Sequence, residues 1–389
     1  MSHLRPADSP QLSEAIAQCA LRGETVELVA GGSKRGYGRP VDAAHRLDLS
    51  AFAGIRLYEP EELVLTAGAA TDLGVIEAAL AAARQHLAFE PPDWRHLWNL
   101  TAAPTLGGTI ACNLSGPRRL RDGAARDHHL GFEAVSGRGE SFKAGGRVVK
   151  NVTGYDLSKL IAGSFGTLAA VTEMTVKTVP APEATATLML TGLGDAAAQA
   201  AMSAALAGPH EVSGAAHLPG ARLTLMRLEG HAPSVAARRD ALVSALAGFG
   251  SVESEDGGAS LLRWRQVRDA MPFAGLPGHA IWRVSVAPSA GPPLVASLSS
   301  VLDFQHFYDW AGGLVWLAVA GSDDGGAGAI RAALRNDGHA TLLRAGEAMR
   351  RRVPVFQPLP GPHAALSARV KDTFDPARIL NPGRMYEDA

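Results

Sequence analysis

The chain has 389 residues, of which 47% are hydrophobic, and its formal net charge is −1. This composition predicts an ordinary globular protein of two or three domains, and the charge balance excludes the strongly basic character typical of nucleic-acid-binding proteins. Two cysteines are too few for the four thiolates that an iron–sulfur cluster normally needs, and no apolar run reaches membrane-spanning length. The polar first ten residues lack a signal-peptide core, so a cytoplasmic location is expected.

A helix and a strand lead into a basic, glycine-rich loop. Apolar residues recur at helical spacing over 12–20, which predicts a helix that ends at Gly23 and has Cys19 on its buried face. The apolar run 25–30 predicts a strand, and the loop that follows begins with residues 31–34, named the first loop below. Such a loop suits a phosphate or pyrophosphate, and a solvated surface loop is the alternative. Its spacing matches neither a P-loop nor a Rossmann turn.

Three short strands are predicted at 47–50, 55–58 and 63–66, and a helix capped by Thr71 follows them. The second glycine segment, 103–116, reads APTLGGTIACNLSG. Its adjacent glycines allow close approach to the backbone, and their consecutive N–H groups are expected to be available to an anion. A tight turn between two strands is the alternative.

Residues 118–126 are rich in arginine and are predicted to form a loop. Its arginines, Arg118 among them, face either an acidic ligand or solvent. His128 and His129 are adjacent, and because neighbouring side chains of an extended segment point in opposite directions, they are not expected to share a metal.

A hairpin is predicted over 130–136 and 140–143, where apolar and polar residues alternate. The polar cluster 150–157 is predicted to open a helix, and a strand is predicted over 169–178. Ser164 is one residue short of the spacing of a nucleophile elbow and has no evident His–Asp partners, so hydrolase chemistry is not predicted.

Strand and helix candidates alternate between residues 181 and 345, which predicts an α+β cap domain. They lie at 184–191, 196–207, 235–247, 280–287, 314–320 and 327–336. On or near its strands are Trp282, Arg283, His306, Tyr308 and Trp310. These residues form either a site whose arginine holds a carboxylate or a set of core aromatics and surface charges. Three arginines at 350–352 face a carboxylate, a partner or solvent.

Four segments carry a resemblance to a known family. They read GGTIACNLSG (107–116), RD (126–127), KNVTGYDLSKLIAGSFGTLAAVTE (150–173) and FDPARILNPGRMY (374–386). Together they resemble the PCMH-type FAD-binding domain of the vanillyl-alcohol-oxidase superfamily. Within its glycolate and D-lactate dehydrogenase branch, they are most similar to the FAD-binding subunits of bacterial glycolate oxidases.

The resemblance implies an α+β fold in which a two-subdomain FAD-binding domain clasps an extended FAD. The implied domains are the FAD-binding domain over 1–180, the cap over 181–345 and a C-terminal segment, 346–389, that returns to the FAD domain. The cofactor-binding residues that it implies are Gly31, Gly32, Ser33 and Lys34 for the pyrophosphate, Gly107, Gly108, Thr109, Asn113 and Gly116 for a second contact, and Gly166, Thr167 and Val171 beside the adenine and ribose.

The same resemblance implies a function. Relatives with covalent flavin carry a histidine in the first loop, which this chain lacks, so non-covalent FAD is expected. Catalytic relatives ligate a metal with paired histidines. None of the thirteen histidines here forms an H-x-H or H-x-x-x-H pair, so no metal site is predicted and no catalytic residue is assigned.

The expected role is the FAD-binding subunit of a glycolate oxidase complex, which oxidises a small 2-hydroxy acid together with a catalytic FAD subunit and an iron–sulfur subunit. The complex is expected in the cytoplasm or peripherally at the inner membrane. The alternatives are a stand-alone FAD-dependent 2-hydroxy-acid dehydrogenase and a scaffold subunit that has kept the fold and lost the cofactor.

Overall fold

The computed structural model describes residues 1–148, 154–335 and 337–387. Residues 150–153 of the cluster predicted to open a helix lie outside the described residues, and the helix itself begins at Leu157. Within the described part of the chain, the strands form four sheets, of three, two, eight and five strands. No helix among these residues combines the length and apolar character that crossing a membrane requires.

The elements divide into three groups along the chain. The first group contains β1 (Ser2–Leu4), α1 (Ser9–Arg22), β2 (Val26–Val29), β3 (His45–Asp48), β4 (Ile55–Glu59), β5 (Val64–Gly68), α2 (Leu73–Ala82), β6 (Gln85–His86), α3 (Leu106–Ala111), α4 (Arg119–Asp122), α5 (Ala125–His128), β7 (His129–Ser136), β8 (Ser141–Gly145), α6 (Leu157–Ile161), β9 (Ala169–Lys177) and β10 (Val179–Pro180). The second group contains β11 (Ala184–Thr191), α7 (Asp195–Ala207), β12 (Gly214–Leu218), β13 (Leu223–Gly230), α8 (Ala232–Leu246), β14 (Val252–Asp256), α9 (Gly257–Arg268), β15 (Ala280–Ser285), α10 (Gly291–Leu298), β16 (Phe304–Asp309), β17 (Leu314–Val319), α11 (Ala327–Ala333) and β18 (His339–Arg344). The last group contains α12 (Glu347–Arg352) and α13 (Gly361–Phe374).

A small parallel sheet, in the order β1-β3-β2, begins the chain. Helix α1 packs on it, because its buried residues Leu12, Ile16 and Cys19 join Val26 and Leu47 in one apolar cluster. Gly23 ends the helix in a left-handed conformation, with φ of 65°, as its sequence position predicts. The first loop leaves this sheet directly after β2.

A five-stranded antiparallel sheet, in the order β4-β5-β9-β7-β8, forms the second layer of the same region. Helix α2 covers it with Leu73, Ile76 and Leu80. Its N-cap is Asp72, whose carboxylate accepts the Gly74 N–H, so the predicted cap at Thr71 is wrong by one residue. The Thr71 hydroxyl donates to the Gly68 carbonyl instead.

The cap region is an eight-stranded antiparallel sheet in the order β14-β11-β13-β12-β16-β17-β15-β18. Its strands run from Ala184 to Arg344. The six predicted candidates fall on β11, α7, α8, β15, β17 and α11. Neither helices α9 and α10 nor strands β12, β13, β14, β16 and β18 are predicted from the sequence. Strand β14, which reads VESED, lies at the edge of the sheet and is mostly exposed, which explains why it lacks an apolar pattern.

The C-terminal segment returns to the first region. The Leu28 N–H donates to Asn381 Oδ1 at 2.8 Å, which fixes the last residues beside β2. The buried Lys371 ammonium donates to the Thr167 carbonyl at 2.7 Å and pairs with Asp375 at 2.7 Å. The N- and C-terminal parts of the chain therefore build one unit around β2 and the start of β9.

Candidate functional site

A cleft of about 890 Å³ separates the small parallel sheet from the five-stranded sheet. The first loop, the start of α3, the beginning of β9 and the C-terminal segment line it. Eight of the predicted cofactor residues lie in its wall. These are Gly31, Gly32, Ser33, Lys34, Gly107, Gly108, Gly166 and Val171.

The first loop presents its backbone to the cleft. The N–H groups of Gly31, Gly32, Ser33 and Lys34 donate no hydrogen bond to any described residue. Gly32 has φ of 80°, a conformation that other residues rarely adopt. Arg35 also lines the cleft, and it pairs there with the buried Glu27 at 2.8 Å. Four consecutive unbonded amides form a concavity suited to an anion.

Two cations stand beside these amides without a carboxylate partner among the described residues. The Lys34 ammonium contacts only the Ser33 hydroxyl, at 3.4 Å, and burial lowers its pKa. The Arg384 guanidinium donates to the carbonyls of Lys34 and Arg39, and burial lowers its pKa to about 10. With a pKa of about 10, Arg384 remains charged near neutral pH, so the cleft carries at the first loop a positive charge that no described carboxylate pairs with.

The second glycine segment differs from its prediction. Gly107 and Gly108 open helix α3 behind the N-cap Thr105, and they form neither a turn between strands nor a row of available amides. The Gly107 N–H donates to the Ala69 carbonyl at 2.7 Å, and the Gly108 N–H donates to Thr105 Oγ1 at 3.2 Å. Instead, the absence of side chains on these glycines lets neighbouring groups approach the backbone of α3 closely.

The two glycines of α3 face different neighbours. A Cβ on Gly107 would lie 2.7 Å from the Ala69 carbonyl oxygen, so this glycine is required by packing. A Cβ on Gly108 would meet Thr105 Oγ1 at 3.2 Å and Lys34 Cδ at 3.7 Å, so it would point toward the first loop across the cleft.

Four predicted cofactor residues are absent from the cleft wall. Thr109 lies on α3 and is fully buried, and its hydroxyl has no hydrogen-bond partner among the described residues. Asn113 Oδ1 accepts the Arg126 N–H at 3.0 Å, and Thr167 Oγ1 donates to the Ser164 carbonyl at 2.7 Å. Gly116 packs at the boundary with the cap, where a Cβ would lie 2.6 Å from the Glu90 carbonyl oxygen.

Sequence reasoning missed the contribution of the C-terminal segment to the cleft. Asn381 and Arg384 both line it, and both fall within the family-like segment 374–386. That segment was the signal that would have identified them. The apolar lining residues Leu28, Leu49 and Met174 come from three separate strand regions and have no local sequence signature.

A buried ion network joins the cleft domain to the cap, and it corrects the prediction that Arg118 faces a ligand or solvent. Its members, the junction network, are Glu90, Arg118, Arg227 and Glu229. Arg118 pairs with Glu229 at 2.7 Å, and Arg227 pairs with Glu90 at 2.9 Å. Burial raises the pKa of Glu90, but Arg227 and Arg118 outweigh that effect and hold its pKa at about 2. The region around Arg118 is also two short helices, α4 and α5, instead of a loop.

Arg283 lies at the same domain boundary, in a cage of indole rings. Its guanidinium carbon is 5.3 Å from the ring centroids of Trp94 and Trp316 and 5.7 Å from that of Trp310. Such stacking stabilises a buried cation. Among the described residues no carboxylate pairs with it, so the alternative in which it holds a carboxylate stays open.

The remaining candidates of the sequence have structural partners. His306 and Tyr308 both hydrogen bond to Asp195 Oδ2, at 2.8 and 2.7 Å, and thereby join α7 to the cap sheet. The Trp310 indole N–H donates to the Gly116 carbonyl at 3.2 Å. The Trp282 indole N–H donates to the Gly325 carbonyl at 2.8 Å.

The paired histidines and the three arginines also contact the protein itself. His128 hydrogen bonds to the Asp122 carbonyl and His129 to the Ser158 carbonyl. Arg350 donates to the Gly38 carbonyl at 2.8 Å, and Arg351 pairs with Asp42. Arg352 donates to the Asp323 carbonyl.

Comparison with known proteins identifies the family. The family model described as FAD binding domain matches residues 3–145. The chain is 36% identical to the glycolate oxidase subunit GlcE of Escherichia coli strain K12 over 394 aligned residues, which cover 99% of each chain. It is 44% identical over 101 residues to the glycolate oxidase subunit GlcD of Bacillus subtilis strain 168, covering 26% of this chain and 21% of that one.

The fold matches that of a solved structure of 4-ethylphenol oxidase from Gulosibacter chungangensis, with a TM-score of 0.74 and 14% identity over 99% of this chain and 89% of that one. The predicted mixed α+β fold, an FAD domain with a cap, is therefore confirmed. Because the similarity to GlcE extends over nearly all of both sequences, the chain belongs to the family of the glycolate oxidase subunit GlcE, whose members carry a PCMH-type FAD-binding domain.

Proposed function

We propose that the cleft holds FAD non-covalently, with the pyrophosphate on the first loop. The observation that carries the proposal is the coincidence of four unbonded amides with two cations, Lys34 and Arg384, that have no carboxylate partner among the described residues. A diphosphate supplies the acceptors and the negative charge that these groups lack.

The other end of the cleft suits the adenine and ribose. Gly166 and Val171 stand there beside Leu28, Leu49 and Met174, and this apolar wall favours a flat ring system over a charged group. Thr109, Asn113, Gly116 and Thr167 support the cleft from behind: we assign them positioning roles in place of the direct contacts that the family resemblance implies.

The nucleophiles near the cleft favour a non-covalent flavin. The first loop has no histidine. Cys112 is the thiol that lines the cleft, and burial raises its pKa to about 11, against a smaller opposing effect of Lys34. A protonated thiol is a poor nucleophile. Acid precipitation of the holoprotein should therefore release all flavin into the supernatant.

We further propose that the chain is the FAD-binding subunit of a glycolate-oxidising complex, with a GlcD-like catalytic subunit and an iron–sulfur subunit as partners in the cytoplasm or at the inner membrane. The bound flavin supplies the redox chemistry. The described residues that line the cleft include one carboxylate, Glu27, and it is already paired with Arg35 and Arg46. No unpaired carboxylate among the described residues of that wall is available as a general base for a substrate hydroxyl, which favours oxidation of the 2-hydroxy acid on the partner.

An absorbance experiment tests both parts. The purified chain should bind FAD and show a flavin spectrum that glycolate alone leaves unchanged, and addition of the catalytic subunit with glycolate should bleach it. Bleaching by glycolate in the isolated chain would support the stand-alone 2-hydroxy-acid dehydrogenase instead. A chain that takes up no FAD under any reconstitution would support the scaffold.

A further inference from the structure

Three metal-binding side chains meet at the end of the small parallel sheet. Atoms of Cys19, Glu24 and His45 that are able to ligate a metal all lie within 4.8 Å of one another. None of the three lines the cleft, so the group is separate from the proposed cofactor site.

Local structure explains why these residues converge. Side chains alternate along a strand, so His45 at the start of β3 points to the same face as the buried Leu47, toward α1. Cys19 in the last turn of α1 belongs to the same apolar cluster as Leu47. The chain then turns at Gly23, and the Glu24 N–H donates to the Cys19 carbonyl at 2.9 Å. This turn places the Glu24 carboxylate beside the side chains of Cys19 and His45.

Within this group the Cys19 thiol lacks a hydrogen-bond partner among the described residues, whereas both ring nitrogens of His45 have one. The Cys19 side chain is 3% exposed, and its sulfur makes no hydrogen bond to a described residue. His45 Nε2 lies 3.0 Å from Glu24 Oε2, and His45 Nδ1 lies 2.5 Å from the Ser2 hydroxyl. An oxygen on Nδ1 is the arrangement that orients a metal-ligating histidine through Nε2.

We propose that Cys19, Glu24 and His45 bind one zinc ion through Sγ, a carboxylate oxygen and Nε2. Sulfur and imidazole ligands favour zinc over the oxygen-seeking Mg²⁺ and Ca²⁺. Glu24 and His45 are partly exposed, so water completes a tetrahedral set. The Cys19 thiol loses its proton to solvent as the S–Zn bond forms, and the two negative ligands balance the charge of the ion. Arg22, 3.9 Å from Glu24, is an exposed competitor that the ion displaces.

The bound ion would link the end of α1 to the small parallel sheet, from which the first loop leaves after β2. Ser2 is a positioning residue, because it contacts His45 and not the ion. Loss of its hydroxyl is expected to weaken zinc affinity by about 10–100-fold, the range found for residues that hydrogen bond to a metal ligand.

The test uses full-length, tag-free protein, because a histidine tag would itself bind zinc. After dialysis against chelator, the protein is titrated with zinc by isothermal titration calorimetry, and with cobalt by absorbance. The expected result is one ion per chain, release of a proton, and a thiolate-to-cobalt charge-transfer band. Cys19→Ser should abolish that band, and Glu24→Gln and His45→Gln should each weaken zinc binding strongly.

Three controls make the result decisive. Cys112→Ser and Glu14→Gln should bind zinc as the parent does, since one removes the other thiol and the second removes an exposed carboxylate of α1. Circular dichroism of each metal-free variant establishes that it is folded, and Glu24→Gln is retained if Cys19→Ser fails to fold. Zinc uptake by the parent that is no tighter than that of folded Glu24→Gln would overturn the proposal.

Discussion

The first loop and the second glycine segment are similar in sequence, but their glycines have different structural roles. In the first loop the four amides are unbonded and face the cleft. In the second segment the amides of Gly107 and Gly108 are bonded within the protein, and Gly107 and Gly116 allow neighbouring backbone to come within 2.7 Å of a Cβ position. Glycine in a sequence indicates that another group lies close to the backbone at that position. It does not indicate whether that group belongs to a ligand or to the protein itself.

The same contrast extends to charge. Beside the first loop, Lys34 and Arg384 have no carboxylate partner among the described residues, as a site for an anionic ligand requires. Behind the second segment, the four charges of the junction network are paired with one another across the domain boundary. We therefore expect substitutions at the first loop to change FAD binding and substitutions behind the second segment to change stability.

The largest effect is expected at the junction network. Arg227→Met leaves two buried carboxylates, Glu90 and Glu229, with Arg118 alone, and removal of one partner from a buried ion pair costs about 3–5 kcal/mol. Urea unfolding of the FAD-free protein at neutral pH measures the loss. Arg239→Met, which breaks a more exposed pair with Asp256, is the matched control and should cost less than about 1 kcal/mol. Equal losses in both variants would contradict the role of the network.

The network also predicts an acid-sensitive stability. The pKa of Glu90 falls from an ordinary 4.5 to about 2 in the folded chain. A depressed carboxyl pKa contributes stability that is fully present above pH 4.5 and is lost as the pH falls toward 2. A pKa difference of one between the folded and unfolded chain corresponds to about 1.4 kcal/mol, so the contribution of Glu90 to stability is roughly 3 kcal/mol. Unfolding free energies measured between pH 6 and pH 3 should fall more steeply for the parent than for Arg227→Met, and parallel curves would rule out the network as the source.

Gly107 and Gly108 provide the direct comparison of packing with ligand contact. Gly107→Val places a branched side chain against the Ala69 carbonyl and should cost about 3 kcal/mol, the upper end of the range for overpacked sites. Gly108→Val should leave the FAD-free protein folded but strip the flavin, because its side chain enters the space across from Lys34.

Thermal unfolding of the FAD-free variants and the ratio of flavin to protein absorbance measure the two effects separately. Gly194→Val, at a glycine with no atom within 4 Å of the added Cβ, controls for valine itself. Full FAD occupancy in Gly108→Val would contradict the proposed cofactor site.

Removal of either cation at the first loop should weaken FAD binding. Lys34→Met and Arg384→Met each delete a partner of the proposed diphosphate, and a hydrogen bond to a charged group contributes about 1.5–3 kcal/mol, or roughly 10–100-fold in Kd. Fluorescence titration of the FAD-free protein measures the change. Lys143→Met, on the exposed face of β8, should bind FAD as the parent does. Unchanged affinity in both cation variants would remove the charge argument for the site.

The sequence identifies the first loop, which the structure places in the cleft wall, because the information in this segment is local. A strand, two glycines and a cation lie within nine residues, so their chemistry is visible without the fold. Arg384 is 350 residues from Lys34 and Glu229 is 111 residues from Arg118, and both contacts depend on tertiary structure. Arg118 was therefore assigned to a ligand or solvent although it is buried in an ion network.

Local information also explains the errors in the second segment and the cap. Thr105 caps α3 with its hydroxyl, and the six-residue helix is too short to show an apolar period, so Gly107 and Gly108 resembled a turn. Strand β14 carries three acidic residues because it is an edge strand with most side chains in solvent. Sequence patterns report burial, and they fail where an element is very short or barely buried.

The smallest effect is expected at Thr167, which the family resemblance assigns to the cofactor and the structure places behind the cleft. Its hydroxyl donates to the Ser164 carbonyl at 2.7 Å, and its carbonyl accepts from Lys371. Thr167→Val keeps the shape and the carbonyl and deletes one hydrogen bond, so stability should fall by about 1 kcal/mol while the Kd for FAD stays nearly constant. The same flavin titration measures the Kd. A loss as large as that of Lys34→Met would return Thr167 to the cofactor contacts and would show that the hydroxyl turns toward FAD when the cofactor binds.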